Sequence, residues 1–322
     1  MPVRSGQRPK LAIVGASGTV GSQLAELIGQ RDFTYAELKL FGSPASAGAK
    51  PILFEEPGPD VVELESPDDL AGFDVVFLAT PSVPAAALLA ACPGSIQIDL
   101  SAASRAPADN LSLVAPGLTP RERVIELRPT RAFGIPHPAA QVIAAVLRAL
   151  GIGSEFVGAS VILGASGWGR EAIAALFNQS ADLLNARLDL ADDETQTAFN
   201  LFLPGEADEM AGVIAAQVAA LTGTTPKLAI QVARAPVFHG AAVALFLPYQ
   251  ADTPQWAARL RGAPGLVLVE SGEASGSADA AGQEAVIVKL TVGPAGAALW
   301  CVFDPARIAA LAAIWVAETV SV

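Results

Sequence analysis

The residues with the clearest chemistry lie near the start of the chain, in Gly15-Ala16-Ser17-Gly18-Thr19-Val20-Gly21. Glycines at this spacing allow a tight turn whose backbone N–H groups approach a pyrophosphate. The apolar run Leu11-Ala12-Ile13-Val14 precedes the turn and a helical pattern follows it, so the positive end of the helix dipole faces the phosphates. The segment therefore predicts a nucleotide-binding turn made by Gly15, Ser17, Gly18, Thr19, Val20 and Gly21. A purely structural tight turn is the alternative.

The loop after the second predicted strand bears on the choice of nucleotide. An NAD site usually carries Asp or Glu there, about 20 residues after the glycines, to bind the ribose 2′-hydroxyl. The loop from Phe41 to Lys50 contains no acid, so it tolerates a 2′-phosphate. Ser43, Ser46 and Lys50 are candidate hydrogen-bond donors to that phosphate, and an ordinary loop of serine, glycine and proline is an equal alternative.

The two cysteines lack the spacing of a metal site or of a redox pair. Cys92 follows an apolar run, and Cys301 lies in the apolar segment Ala298–Phe303. We expect both to be small core side chains rather than nucleophiles, and we expect no metal site. Two isolated thiols in 322 residues also indicate a reducing compartment.

The elements that must position these residues alternate between strand and helix over roughly the first 135 residues. Predicted strands cover Leu38–Phe41, Asp74–Ala79 and Ser95–Leu100, and a predicted helix covers Val83–Ala91. This alternation predicts an α/β fold with a Rossmann-type, doubly wound parallel sheet. Ligands of such sheets bind beyond the carboxyl ends of the strands, so the glycine turn should share one crevice with Thr80–Ser82 and Ser101–Arg105.

The remaining sequence predicts a second, α+β domain. Its predicted strands are Glu155–Leu163, Lys227–Val232, Val243–Leu247 and Ala285–Leu290, and its predicted helices are Glu171–Ala191 and Ala207–Leu221. A final helical segment, Ala306–Thr319, is expected to return to the first domain.

The net charge and apolar content of the chain limit the kinds of partner that it can bind. The net charge of −12 argues against nucleic acid, because binding to phosphate backbones requires a basic surface. Apolar residues make up 52% of the chain, but none of the apolar segments is long enough to span a bilayer. The first residues contain no signal-peptide pattern. We therefore expect a cytoplasmic protein with neither membrane nor nucleic-acid partners.

Several motifs together resemble the aspartate-β-semialdehyde dehydrogenase family. They are the glycine turn, Ser46-Ala47-Gly48, Asp99–Arg105, Ala198-Phe199-Asn200 and Arg234-Ala235-Pro236-Val237, in the family's order. Ala165–Ala172 and Gln179–Asn185 are similar in particular to the USG-1 group of homologues. The resemblance covers nearly the whole chain.

The resemblance implies an NADP-binding domain at 1–137 and 303–322, and a dimerisation and substrate domain at 138–302. It implies a homodimer and the NADPH-dependent reductive dephosphorylation of aspartyl phosphate to its semialdehyde. In that reaction a cysteine thiolate forms a thioester that accepts hydride, a histidine transfers protons, and arginines bind the anionic groups of the substrate. Arg105 matches the phosphate-binding arginine and Arg234 the carboxylate-binding arginine. The alternative for each is a surface or interface salt bridge.

The chain departs from the family at the reacting groups. Pro138 occupies the position of the cysteine and Ala241 that of the histidine, and the loop arginine that would serve a 2′-phosphate is Ala45. The sequence therefore predicts a homologue impaired in reductive dephosphorylation that still binds a small anion or nucleotide, with weakened NADP binding.

The alternative is an active NADP-dependent dehydrogenase with an altered site built on the two histidines. His137 lies next to Pro138, and His239 lies two residues before Ala241. On a strand, His239 would share the face of position 241.

Overall fold

The first unit of the chain is built on a parallel sheet. The structure is a computed structural model that describes residues 8–31, 33–48, 59–92, 94–107, 111–191, 194–269, 272–273 and 275–321, so Lys50 lies outside the described residues. The chain divides into one unit of Met1–Gln141 with Ala306–Val322 and another of Val142–Pro305. The strands described in the first unit are β1 (Lys10–Val14), β2 (Glu37–Gly42), β3 (Val61–Glu63), β4 (Val75–Leu78), β5 (Ile96–Asp99), β6 (Ser112–Leu113) and β7 (Ala132–Gly134).

These strands lie in the order β3-β2-β1-β4-β5-β7-β6, and every described pair is parallel. Val14 at the end of β1 pairs with Phe41 of β2 and with Leu78 of β4. The carboxyl ends of the three strands therefore reach one edge of the sheet together. The helices associated with this unit are α1 (Thr19–Gln30), α2 (Ser82–Ala91), α3 (Arg121–Leu127) and α9 (Pro305–Ser321).

Both faces of this sheet are apolar, and helices cover them. Leu11 and Ile13 point to a core shared with α1 and α9, whereas Ala12 and Val14 point to a core shared with α2. Burial on both faces requires nearly continuous apolar strands, which is what β1 and β4 have. The predicted doubly wound α/β sheet is confirmed. Helix α4 (Pro138–Leu150) leads from the first unit into the second.

The second unit contains a mixed sheet in the order β11-β12-β13-β10-β8-β9. The pairs β8–β9 and β11–β12 are parallel and the other described pairs are antiparallel. This unit is composed of strands β8 (Phe156–Leu163), β9 (Lys227–Arg234), β10 (Ala241–Pro248), β11 (Leu266–Leu268), β12 (Val286–Gly293) and β13 (Gly296–Phe303), and helices α5 (Arg170–Leu184), α6 (Ala207–Thr222), α7 (Trp256–Arg261) and α8 (Ser277–Ala280).

Burial alternates along the central strands of this mixed sheet. Val157, Ala159, Val161 and Leu163 of β8 are buried, while the residues between them are partly or fully exposed. Phe156 and Phe246 are among the large apolar side chains exposed in the second unit. The predicted α+β second part is confirmed, and one face of its sheet is only partly covered within the described chain.

The expectations for one helix of this unit and for the two cysteines of the chain have different outcomes. Helix α5 ends at Leu184 rather than Ala191, because Asn185 caps it and Ala186 takes a φ of 53°. The core position expected for Cys301 is confirmed, since it has no exposed surface, whereas Cys92 is only partly buried. Among the described helices, none has the length and apolar character needed to cross a membrane.

Candidate functional site

The glycine turn joins β1 to α1 at the edge where β1, β2 and β4 end. The N–H groups of Gly15 and Ala16 both donate to the carbonyl oxygen of Phe41, at 2.8 and 3.0 Å. Gly15 has a φ of +85°, and a Cβ atom there would lie 2.5 Å from the carbonyl oxygen of Ala79. A Cβ atom on Gly21 would lie 2.1 Å from the carbonyl oxygen of Gly15. Only glycine fits either position without movement of the backbone.

The amino terminus of α1 has the form of an anion-binding site. Gly18 is its N-cap residue and gives no side-chain cap, so the first N–H groups of the helix lack a side-chain acceptor from that position. The hydroxyl oxygens of Thr19 and Thr80 are buried and have no hydrogen-bond partner among the described residues. Buried hydroxyls without partners are uncommon, and a bound ligand is one explanation. Ser17 and Val20 are partly buried in the same turn.

Thr80 and the glycine turn come together as the sequence suggested. The backbone N–H of Thr80 would be 3.1 Å from a Cβ atom on Gly15, which places the end of β4 against the turn. A dinucleotide fits the residues present, because the amino terminus of α1 has no side-chain cap from Gly18 and the hydroxyls of Thr19 and Thr80 have no partner among the described residues. The sequence alone did not single out the hydroxyl of Thr80.

The serines after β2 form a short 3₁₀ turn next to the glycine turn. The Ser43 and Ser46 hydroxyl oxygens lie 3.2 Å apart, and the Ser46 hydroxyl is 3.0 Å from the carbonyl oxygen of Ser43. Ser43 is exposed and Ser46 partly exposed. Since Phe41 at the end of β2 accepts from Gly15, the two turns are neighbours at one edge of the sheet.

Asp99 and Arg105 form an ion pair after β5. The carboxylate of Asp99 is fully buried and accepts from the Ser101 N–H at 2.8 Å and from the Ser101 hydroxyl at 2.7 Å. Its other oxygen accepts from Arg105, whose side chain is 31% exposed. The 3₁₀ turn Leu100–Ser104 therefore returns Arg105 to the strand that precedes it.

His137 lies directly before α4, and Pro138 is the first residue of that helix. The Ala139 N–H donates to Nδ1 of His137 at 3.1 Å, so the imidazole acts as a helix cap. Burial lowers the pKa of His137 to about 4, which keeps the ring neutral near pH 7. Proline suits the first helical position because its fixed φ is helical and it lacks an N–H. The position that the family resemblance assigns to the nucleophile is therefore the first residue of a helix.

Arg234 ends β9 in the second unit. Its backbone exchanges hydrogen bonds with Phe202, and its guanidinium carbon lies 5.9 Å from the centre of the Phe202 ring. Burial lowers the pKa of Arg234 while the negative charge of Glu206 raises it. The guanidinium reaches the carbonyl oxygen of Ala172 at 3.5 Å. Arg234 is therefore half-buried against an aromatic ring and close to an acidic group.

Gln179 fixes the segment that contacts Arg234, a role that the sequence did not reveal. This buried side chain on α5 donates to Glu194 at 2.9 Å and accepts from the Thr197 N–H at 2.7 Å. It thereby holds the residues leading to Phe202. Nothing in the spacing of Gln179 distinguishes it from an exposed helical glutamine, since its partners lie 15 to 19 positions along the chain.

The expectation that His239 shares a strand face with position 241 was wrong. His239 is exposed in a turn, and β10 begins only at Ala241, which is 1% exposed. The turn forms because Gly240 has a φ of +85° and because Val237 and Phe238 accept backbone hydrogen bonds from Ala165 and Ser166, at 2.8 and 2.9 Å.

Comparison with known proteins gives consistent results along the whole chain. Residues 10–175 match the family model described as semialdehyde dehydrogenase, NAD binding domain. A USG-1 protein homolog of Azotobacter vinelandii is 32% identical over 86% of each chain. An aspartate-semialdehyde dehydrogenase of Synechocystis is 28% identical over 96% of each chain. The structure of a probable aspartate-semialdehyde dehydrogenase from Pseudomonas aeruginosa is similar with a TM-score of 0.86, at 30% identity over 97% of this chain and 98% of the other.

Proposed function

The chain belongs to the semialdehyde dehydrogenase family, and we propose that it keeps a dinucleotide and anion site while being impaired in the reductive dephosphorylation of aspartyl phosphate. The observation that carries this proposal is Pro138. Pro138 is the first residue of α4 and stands where the family resemblance places the nucleophilic cysteine. Its side chain has no nucleophilic atom.

The two thiols of the chain are poor substitutes for that nucleophile. Cys301 is fully buried, and burial raises the pKa of its thiol to about 12. Cys92 lies at the carboxyl end of α2, where burial and the charge of Asp68 raise the pKa of its thiol. A nucleophilic cysteine needs a lowered pKa in an electropositive place, such as a helix amino terminus. Neither environment favours a thiolate.

We propose NADP as the dinucleotide, bound by Gly15, Ser17, Gly18, Thr19, Val20 and Gly21. A nicotinamide cofactor supplies hydride transfer when it is bound. The amino terminus of α1, which Gly18 leaves without a side-chain cap, and the buried Thr19 and Thr80 hydroxyls support this assignment. Ser43 and Ser46 follow β2 where an NAD site usually has an acid, which supports tolerance of a 2′-phosphate.

The environments of the two histidines give little support to a catalytic role for either of them. Nδ1 of His137 accepts the Ala139 N–H, so the proton of the neutral ring resides on Nε2 and the ring lacks the free lone pair that a base requires. His239 is exposed in its turn. An active dehydrogenase built on these residues remains the alternative hypothesis.

Arg105 and Arg234 are the proposed anion-binding residues. Guanidinium groups bind carboxylates and phosphates through paired N–H donors. Arg105 is oriented by the Asp99 carboxylate, and Arg234 by the Phe202 ring. Orientation by a neighbouring group lowers the entropic penalty of binding an anion.

A homodimer is the proposed assembly, and the cytoplasm is the proposed location. The partly covered face of the second sheet, where Phe156 and Phe246 are 57% and 53% exposed, supports association through that sheet.

The decisive experiment measures phosphate-dependent oxidation of aspartate semialdehyde with NADP by the purified chain. We expect no turnover above background, together with an NADP-dependent rise in the melting temperature. Turnover at ordinary enzymatic rates would contradict the impairment. Turnover that is abolished by His137→Asn or His239→Asn would establish the alternative. Absence of any stabilisation by millimolar NADP would contradict the dinucleotide site.

A further inference from the structure

A cavity of about 460 Å³ lies within the first unit, on the α2 side of its sheet. Its strand residues are Gln97 of β5 and Ala132 of β7, which are partners in the parallel ladder. Helix α2 contributes Ala86, Leu89 and Ala90, which form an apolar wall. The glycine turn and the serines after β2 do not line the cavity, so it is separate from the proposed dinucleotide site.

Two arginines bring positive charge to this cavity. Arg105 and Arg131 both line it, and the described lining includes no Asp or Glu. Since Asp99 neutralises Arg105, the excess charge at the cavity is that of Arg131. A ligand with a single negative charge would neutralise Arg131, whereas a dianion would keep one negative charge without a positive partner.

The backbone of Arg131 is held in a conformation that arginine rarely adopts. It has a φ of 57° and a ψ of 2°, which glycine or asparagine takes at lower energy. In this conformation its carbonyl accepts from the Gln97 N–H at 2.7 Å and its guanidinium donates to the carbonyl of Gly94. The backbone conformation therefore does not require arginine at this position. The presence of the Arg131 side chain needs another explanation.

The bond to Gly94 fixes the Arg131 guanidinium beside the cavity while using one of its five N–H groups. Gln97 is 4% exposed, and its Oε1 has no hydrogen-bond partner among the residues that the structure describes. A water molecule in the cavity that donates to Oε1 would satisfy this acceptor, because a carboxylate ion has no donor to offer.

We propose that this cavity binds a small monocarboxylate, with the carboxylate on Arg131 and Arg105 and a short apolar chain against Ala86, Leu89 and Ala90. A planar carboxylate matches the paired donors of a guanidinium. The apolar wall favours a carboxylate with an alkyl chain over an inorganic oxyanion.

The test is a ligand-observed NMR titration of the full chain with butanoate, in parallel with inorganic phosphate. We expect saturable binding of butanoate, weaker binding of phosphate, and at least about a tenfold loss of butanoate affinity in Arg131→Asn, because a charge-assisted contact is removed. Asparagine accepts the left-handed backbone, so this variant should fold, which its thermal unfolding verifies. Arg121→Asn is the matched control, since Arg121 is exposed on α3 and outside the cavity.

Three results would overturn the proposal: no saturable binding of butanoate to the wild-type chain, equal affinity in Arg131→Asn, or tighter binding of phosphate than of butanoate. The outcome is distinguishable from failure of the proposed function. Arg105 is also one of the anion-binding residues proposed above, but the deciding variant is at Arg131, which that function does not use. NADP binding is tested at Thr19 and Thr80, and neither residue lines this cavity.

Discussion

Gly15 lies so close to Ala79 that a Cβ atom on the glycine would be 2.5 Å from the carbonyl oxygen of the alanine. This approach brings the end of β4 against the turn after β1. It explains why the turn requires glycine for space as well as for its positive φ.

Substitution of Gly15 by alanine is expected to destabilise the first unit by about 3 kcal/mol or more, because a left-handed alanine and a backbone clash are combined. Gly48→Ala is the matched control, since Gly48 has a φ of +79° but open space around the missing Cβ. Its expected loss is only about 1 kcal/mol. Urea unfolding of both variants measures the difference, and equal losses would show that the contact with Ala79 is unimportant.

Replacement of Thr80 or Thr19 by valine should weaken NADP binding without lowering the unfolding free energy of the chain. Each hydroxyl is buried without a partner among the described residues, so its replacement by a methyl group is expected to leave the unfolding free energy unchanged or slightly higher. The NADP-induced rise in melting temperature should shrink. Thr291→Val, an exposed position on β12, serves as control. A full NADP response in both site variants would argue that these hydroxyls do not face the nucleotide.

His137 should make stability depend on pH between about 4 and 6.5. Its folded pKa is lowered to about 4, so below pH 6.5 the unfolded chain takes up a proton that the folded chain does not. The contribution is fully present above pH 6.5 and is lost as the pH falls towards 4, by about 3 kcal/mol at most. His137→Asn keeps a cap acceptor for the Ala139 N–H but does not titrate. The difference between the two unfolding free energies should therefore change with pH, and a constant difference would refute the lowered pKa.

Asp99→Asn should destabilise the chain by roughly 1–3 kcal/mol. The variant keeps an acceptor for Ser101 but places an amide against the Arg105 guanidinium, which loses the Asp99 carboxylate as its partner. Glu126→Gln breaks the exposed pair with Arg123 and should change stability by less than about 0.5 kcal/mol. Chemical unfolding compares the two variants. Similar losses of unfolding free energy would mean that burial of Asp99 does not increase the contribution of its ion pair to stability.

The two thiols should differ in their reaction with a disulfide reagent such as DTNB. Cys92 is partly exposed and should react in the folded protein, more slowly than a free thiol because its pKa is raised. Cys301 should react only after denaturation. Cys92→Ser should abolish the reaction of the folded protein. A fast native reaction that survives this substitution would show an accessible Cys301 and would weaken the argument against a thiol nucleophile.

Much of the first unit was predictable because its signals are local. The strand, glycine turn and helix at the start of the chain, and the apolar runs that became β4 and β5, follow from residue periodicity and from the conformational freedom of glycine. Helix α4 was not predicted as an element, and α5 was predicted to end seven residues too late, because helix ends depend on caps such as His137 and Asn185.

The sequence by itself determined the fold class, the family resemblance and the absence of sulfur at position 138, since these depend on residue identity and order. The tertiary structure alone decided that His239 lies in a turn, that Gln179 holds the segment leading to Phe202, and that Arg131 and Arg105 line one cavity. Those relationships join residues 15 to 26 positions apart or depend on a single left-handed backbone angle. Local periodicity carries no information about such contacts, because they form only when separate elements pack together.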